Sequence, residues 1–232
     1  MTTKGREHTE IVYPETDGMP LPDGEFQSPL FREIVAILET HFEKVPGCHV
    51  NGNTFIYYQE GDPRRWVSPD CYVVFDIDRS SIERFNTYRI WEVGKPPDFV
   101  LEIGSPSTTT TDLMAKRQLY AELGIGEYWR YDKTGGDFYG EPLAGEALSG
   151  GEYQPLHLHR EADGMVWGHS PTLNLDLCWD AGRLRFFDGI AGQWLLSHTE
   201  EHAAKEKALG RVQEAEERVQ ELEAELRRLR GD

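Results

Sequence analysis

Residues 97–132 read PDFVLEIGSPSTTTTDLMAKRQLYAELGIGEYWRYD. Phe99 to Ile103 is an apolar run of strand length that carries one acid, Glu102. A turn rich in Gly, Ser, Pro and Thr follows. Leu113, Arg117, Leu119, Tyr120 and Leu123 then predict a helix, capped by Thr111 or Asp112 and stopped at Gly124. Glu127 to Tyr131 returns to an aromatic strand, and strand–helix–strand is the signature of an α/β core. An acid inside a strand needs a compensating partner, because an unpaired buried charge is costly. With Lys116 on the following helix, Glu102 belongs either to a structural ion pair or to a metal-and-lysine site.

Working outward, residues 1–24 are polar and punctuated by Pro14, Pro20 and Pro22, an extended lead-in to a domain over 25–198. Phe31, Ile34, Val35, Leu38 and Phe42 have helical spacing, so Ser28 to Glu43 is an amphipathic helix with Ser28 as N-cap and Pro29 at its first position. Val50 to Tyr58 and Cys71 to Phe75 are rich in strand formers and predict a hairpin, with Asp70 opening the second run. Asp76 to Lys95 reads as a loop across the sheet edge, and residues 133–160 as loops and short strands. Thr172 to Leu177 alternates, and Leu184 to Phe187 with Trp194 to Leu196 predicts a final hairpin. In the segment 199–232, Val212, Val219 and Leu226 fall at heptad position a, and Ala208, Ala215, Leu222 and Leu229 at d. That pattern predicts a C-terminal helix pairing with a second copy as a parallel coiled coil.

Composition bounds the function. The net charge is −17, and residues 201–232 contribute only −2 of it, which leaves −15 on the rest. Such a charge repels phosphate backbones at long range and argues against generic nucleic-acid binding unless a metal ion or a local cation intervenes. The three cysteines show no metal-binding spacing, and their odd number argues against a disulfide framework, which points to a reducing cytoplasm. No apolar run reaches the length of a membrane span, and the N-terminus lacks a signal-peptide core. The histidines show no HExxH-type spacing.

Asp70 and Glu102 are the two acids set on or at the edge of apolar strands. If those strands are neighbours, the pair suits one Mg²⁺ or Mn²⁺ completed by waters and substrate phosphates, with Lys116 to orient the attacking water or stabilise charge on phosphorus. The competing readings are a turn residue for Asp70, a buried ion pair for Glu102, and a solvated lysine or an i, i+4 partner of Asp112 for Lys116.

Pro69-Asp70, Pro97-Asp98, Glu102, Ser105-Pro106-Ser107, Asp112, Lys116, Tyr120, Gly124 and Glu127-Tyr128-Trp129 stand in an order that resembles the bacterial Uma-two restriction endonuclease family of the PD-(D/E)XK nuclease superfamily. The resemblance covers roughly residues 10–190. It implies a restriction-endonuclease-like α/β fold, a mixed sheet flanked by helices with extra β-hairpins. It also implies a metal-dependent endonuclease acting on DNA, with Asp70 and Glu102 as metal ligands and Lys116 as catalytic lysine. Asp98, Asp112, Glu33 and Tyr120 are secondary candidates. The superfamily lysine stands two residues after the acid, where this chain has Gly104. Lys116 therefore has to take over its role from the helix. The alternative is a non-catalytic interaction protein that keeps the fold and dimerises through its tail.

Overall fold

A strand with no polar face belongs in the middle of a sheet, and Phe99–Ile103 is found there with all five residues buried. The computed structural model describes residues 12–14, 28–106 and 109–230. The chain divides after Leu195 into two units.

The first unit runs α1 (Ser28–Phe42), β1 (His49–Asn51), β2 (Ile56–Tyr57), β3 (Trp66–Val67), β4 (Cys71–Val74), α2 (Ser80–Glu83), β5 (Tyr88–Arg89), α3 (Ile90–Val93) and β6 (Phe99–Ile103). A π-helical turn, Thr111–Lys116, leads into α4 (Arg117–Leu123). Then come β7 (Glu127–Tyr131), β8 (Leu143–Ser149), β9 (Glu152–Pro155), β10 (Leu158–Arg160), β11 (Val166–Ser170), β12 (Leu175–Asp180), β13 (Arg183–Asp188) and β14 (Gln193–Trp194). Three sheets form, in the orders β1-β4-β6-β7-β8-β9, β10-β11-β12-β13-β14 and β3-β2-β5. The pairing of β6 with β7 is parallel and the helix crosses between them, as the strand–helix–strand pattern requires.

Side chains alternate across the main sheet, and the two faces have separate cores. Cys71, Val73, Phe99, Leu101, Trp129 and Tyr131 pack with α1 and the five-stranded sheet. Tyr72, Val74, Val100 and Tyr128 pack on the other face with Tyr120 of α4 and with Ile56 and Tyr88 of the small sheet. Glu127 ties two sheets together: its carboxylate accepts from Trp129 Nε1 (2.9 Å), Ser170 Oγ (2.6 Å) and the Thr172 amide (2.6 Å).

The local sequence misleads at three places. Val50 to Tyr58 is two strands in two sheets, because Asn53 takes a left-handed backbone (φ 52°) that breaks the run. β1 pairs with β4 and β2 with β3, so the expected single hairpin is two pairings. Asp76 to Lys95 is not one loop, since it holds α2, β5 and α3. Neither Thr111 nor Asp112 caps the helix: Thr110 is already helical and makes no capping bond, and Asp112 lies within the π turn. The final hairpin forms as expected, with Phe187 opposite Trp194. Of the lead-in, only residues 12–14 are described; there Tyr57 Oη donates to the Pro14 carbonyl (2.5 Å). Ser107 also lies outside the described residues.

The second unit is one helix, α5 (His198–Arg230). Val212, Val219 and Leu226, at the heptad a positions, are each at least half exposed. No described helix is long and apolar enough to cross a membrane.

Close packing makes one substitution diagnostic. A Cβ at Gly145 would lie 2.7 Å from the buried Trp129 ring on the neighbouring strand. Gly145→Ala is expected to lower unfolding stability by roughly 1–3 kcal/mol, the range of an overpacked core. Urea titration followed by tryptophan fluorescence checks it; an unchanged midpoint contradicts this packing.

Candidate active site

The alternation that divides the core also gathers the acids. β4 and β6 pair antiparallel with Cys71 opposite Leu101, and the same register carried on by one residue sets Asp70 beside Glu102. Both are even-numbered partners of Tyr72 and Val100, so they share the face covered by the π turn and α4. Asp70 Oδ2 accepts from the Ile103 amide at 2.7 Å, which fixes the acid at the strand end. Asp112, Lys116 and Tyr120 recur at intervals of four and all turn toward this face. Lys116 Nζ donates to Glu102 Oε2 (2.9 Å), and Tyr120 Oη donates to Glu102 Oε1 (2.5 Å). Lys116 Nζ also lies 3.0 Å from Asp112 Oδ1. That contact is an ion pair without hydrogen-bond alignment, because Asp112 Oδ1 is buried with no hydrogen-bond partner.

The π turn is where this geometry originates. Wider turns of this kind cluster at functional sites, and here Tyr128 Oη donates to the Asp112 carbonyl (2.9 Å) within the widened turn. Glu102 is 1% exposed and Asp112 0%, while the Lys116 side chain keeps 18% and Asp70 is half-buried. The site therefore opens to solvent along its Asp70–Lys116 edge.

Burial pushes the Glu102 carboxyl well above the ordinary glutamate range; Lys116 partly offsets this, and Asp70 and Asp112 add to it. Burial disfavours the Lys116 ammonium, but Glu102, Asp112 and Asp70 outweigh it and hold the lysine charged. Burial, with Glu102 beside it, keeps Tyr120 protonated as a donor. Three acids, Glu102, Asp112 and Asp70, thus crowd one ammonium, an excess of negative charge of the kind that oxygen-ligated divalent cations compensate. Among the described residues, no three His, Cys, Asp or Glu side chains are close enough to ligate one ion. Asp70 and Glu102, neighbours in the β4–β6 register, are the pair that could hold an ion completed by waters, as Mg²⁺ commonly is.

Two of the expected acids lie elsewhere. Asp98 sits at the opposite end of β6, where it accepts from the Phe75 amide and Lys95 Nζ, both at 2.8 Å. Glu33 is exposed on α1, 4.0 Å from Arg183. Trp129 is core, with its indole N–H on Glu127.

The structure also adds residues that the sequence reading passed over. Tyr139 Oη donates to Asp112 Oδ2 at 2.6 Å. Its loop is held by Asp132 at the end of β7, whose carboxylate accepts from Thr134 N (2.9 Å), Thr134 Oγ1 (2.5 Å), Phe138 N (2.7 Å) and Tyr139 N (3.1 Å). The signal was present as Asp-Lys-Thr-Gly-Gly after a strand, a side-chain-capped turn. Gly104 gains a reason as well. A Cβ there would lie 3.1 Å from the Tyr139 ring and 3.2 Å from Phe138 Cβ, so this loop crowds the position at which the resemblance would place a lysine.

The first unit is thus a mixed α/β fold that presents two strand acids to a helix lysine. Residues 5–181 match the Uma2 family model, described as "Putative restriction endonuclease", and the chain belongs to that family. A crystal structure described as a putative nuclease belonging to DUF820, from Anabaena variabilis ATCC 29413, is similar at 18% identity and a TM-score of 0.46, over 66% of this chain and 76% of that one. No curated protein matches.

Beside the site, Glu146 is clamped by Arg117 (Nη2–Oε1 2.7 Å) and Arg130 (Nη1–Oε2 2.6 Å). Burial alone would raise the Glu146 pKa, but the two guanidinium groups outweigh it and hold the carboxyl below its ordinary value of 4.5. The unfolded state therefore binds the proton more tightly. The clamp contributes its full stability above about pH 4.5 and loses it as pH falls through the lower folded value. Glu146→Gln should cost stability at pH 7 and flatten the acid limb of the stability–pH curve. An acid limb as steep as in the parent protein would contradict this.

Proposed function

We propose that this protein is a divalent-metal-dependent endonuclease that hydrolyses phosphodiester bonds of DNA. The observation that carries the reading is the gathering of Asp70, Glu102 and Lys116 on one face of the central strands, with Lys116 2.9 Å from Glu102. Membership of a restriction endonuclease family supports the reaction class. Asp70 and Glu102 would hold Mg²⁺ or Mn²⁺. When bound there, the ion supplies Lewis acidity at the phosphate and a lowered pKa for a coordinated water.

The chain's own groups do the rest. Lys116 stays an ammonium and is aimed by two carboxylates, so it offsets charge as it develops on phosphorus and orients the attacking water from the exposed edge of the site. Tyr120 fixes the plane of the Glu102 carboxylate by donating to its second oxygen. Asp112 supports Lys116 from the side opposite Glu102. The half-exposed Asp70–Lys116 edge admits the scissile phosphate. A divalent ion held here, together with the Lys116 ammonium, would lower at short range the repulsion between DNA and a chain of charge −17.

Purified protein is expected to nick or linearise plasmid DNA with Mg²⁺ or Mn²⁺ and to stop with EDTA. Glu102→Ala and Lys116→Met should each lower kcat by at least about 10²–10³, the loss typical of one charge-stabilising group. Full activity in either variant, or in EDTA, sinks this reading.

A second reading, an interaction protein that keeps the nuclease fold without catalysis, has one observation in its favour. Both oxygens of Glu102 are already engaged by Tyr120 and Lys116. In either reading the exposed a-position stripe of Val212, Val219 and Leu226 supports a homodimer through α5. Light scattering should give a dimer for the full chain and a monomer for a chain ending at His198. A monomeric full chain removes the dimer, and heat on Mg²⁺ titration into the folded protein excludes the non-catalytic reading.

A further inference from the structure

Lys116 stands between two carboxylates, and each carboxylate is held from behind by a tyrosine. A chain of hydrogen bonds and one ion pair, Lys116–Asp112, runs Tyr120–Glu102–Lys116–Asp112–Tyr139. Tyr120 and Lys116 come from the same helical segment as Asp112. Tyr139 comes from the far side, on the loop after β7, so the chain closes only if that loop is in place.

We propose that Tyr139 is a positioning residue for Lys116: its hydroxyl holds Asp112 in the orientation that directs the lysine onto Glu102. Four observations support it. The Tyr139 hydroxyl donates to Asp112 Oδ2, and the other oxygen, Oδ1, faces Lys116 Nζ at 3.0 Å, so the rotation of this one carboxylate sets the lysine's second anchor. Asp112 is 0% exposed, with no hydrogen bond to Oδ1, so among the described contacts Tyr139 supplies the hydrogen bond that orients this carboxylate toward its ion pair with Lys116. The backbone amide of Tyr139 is itself held by Asp132, which is 0% exposed and accepts four hydrogen bonds from residues 134–139. Finally, the ring packs close over Gly104, where a Cβ would lie 3.1 Å from it. One loop thus does two things. It crowds the position two residues after the strand acid, and it supplies the hydroxyl that holds Asp112 beside the helix lysine.

Tyr120 has a different part. It touches Glu102 directly, whereas Tyr139 reaches Lys116 only through Asp112 and acts on no substrate atom. Losing a supporting hydrogen bond of this kind typically costs about 10–100-fold in activity.

The proposal rests on Lys116 acting as the catalytic lysine, and its test separates the two. Tyr139→Phe removes the hydroxyl and keeps the ring over Gly104. It should lower kcat by about 10–100-fold with KM within about twofold and a nearly unchanged thermal midpoint. In an Asp112→Asn background the same change should add little, because the two residues act in series. A readout without turnover is the ¹⁵N-edited NMR signal of the Lys116 ammonium, observable when its protons are held and expected to shift or broaden in Tyr139→Phe. If the parent protein cleaves DNA and Tyr139→Phe cleaves equally well, the positioning role is wrong and the nuclease reading stands. If the parent does not cleave but the lysine signal responds to Tyr139→Phe, the nuclease reading fails and the positioning stands. An unresponsive lysine signal overturns the proposal in either case.

Discussion

The burial of Glu102 is the constraint on which the centre of this structure depends. It sits on a strand with both faces covered, 1% exposed, where an isolated carboxylate is strongly disfavoured. Lys116 and Tyr120 answer that requirement with an ammonium and a phenol on the two oxygens. A purely structural solution would stop there. Instead two more acids, Asp70 and Asp112, act on the same pair and raise the Glu102 pKa further. An arrangement that adds like charge to a buried acid opposes stability, and such crowding is characteristic of sites where chemistry has been selected over packing.

In the proposed site the lysine stands at 116 rather than at 104, and two separate parts of the chain go with that placement. The loop of Asp132 to Tyr139 covers the strand end and crowds Gly104. The helix opens into a π turn, and Asp112, Lys116 and Tyr120 lie on the same face of the sheet. The two features are complementary. A Cβ at 104 would press on Phe138 and Tyr139, while Lys116 supplies the cation that a buried Glu102 needs. A long, flexible stem is what allows a helix residue to reach a carboxylate on a strand below it.

How much of this was legible in the sequence depends on the range over which the signals act. The buried strand with its odd acid, the crossover helix and the last hairpin are local patterns, and periodicity reports them well. Pairing is not local. Val50 to Tyr58 is split between two sheets at a left-handed Asn53, where Asn51-Gly52-Asn53 carries a turn signal, yet composition holds no record of which partner each half will find. Asp112 looked like a helix cap because Asp favours caps; tertiary contacts with Tyr128 and Tyr139 turned it inward instead. Tyr139 itself is 27 residues from Asp112 in sequence, so no spacing rule links them. Asp98 shows the converse. It has the same residue type in the same strand segment as Glu102, but lies at the other end of β6, where Lys95 pairs with it.

Two buried glutamates on adjacent strands separate structure from chemistry within one sheet. Glu127 faces the α1 side and accepts from an indole, a hydroxyl and a backbone amide, all neutral donors, with no other carboxylate among them. Those bonds join two sheets and leave nothing to be exchanged. Glu102 faces the opposite side, bonded to a charged lysine and set among further acids, one of which retains an unbonded buried oxygen. Both acids are equally hidden from water, so burial does not distinguish them; the difference is in what surrounds each. Neutral donors make a buried carboxylate a clamp, whereas clustered acids around one lysine leave an excess of negative charge, which in the proposed reading a divalent cation would balance.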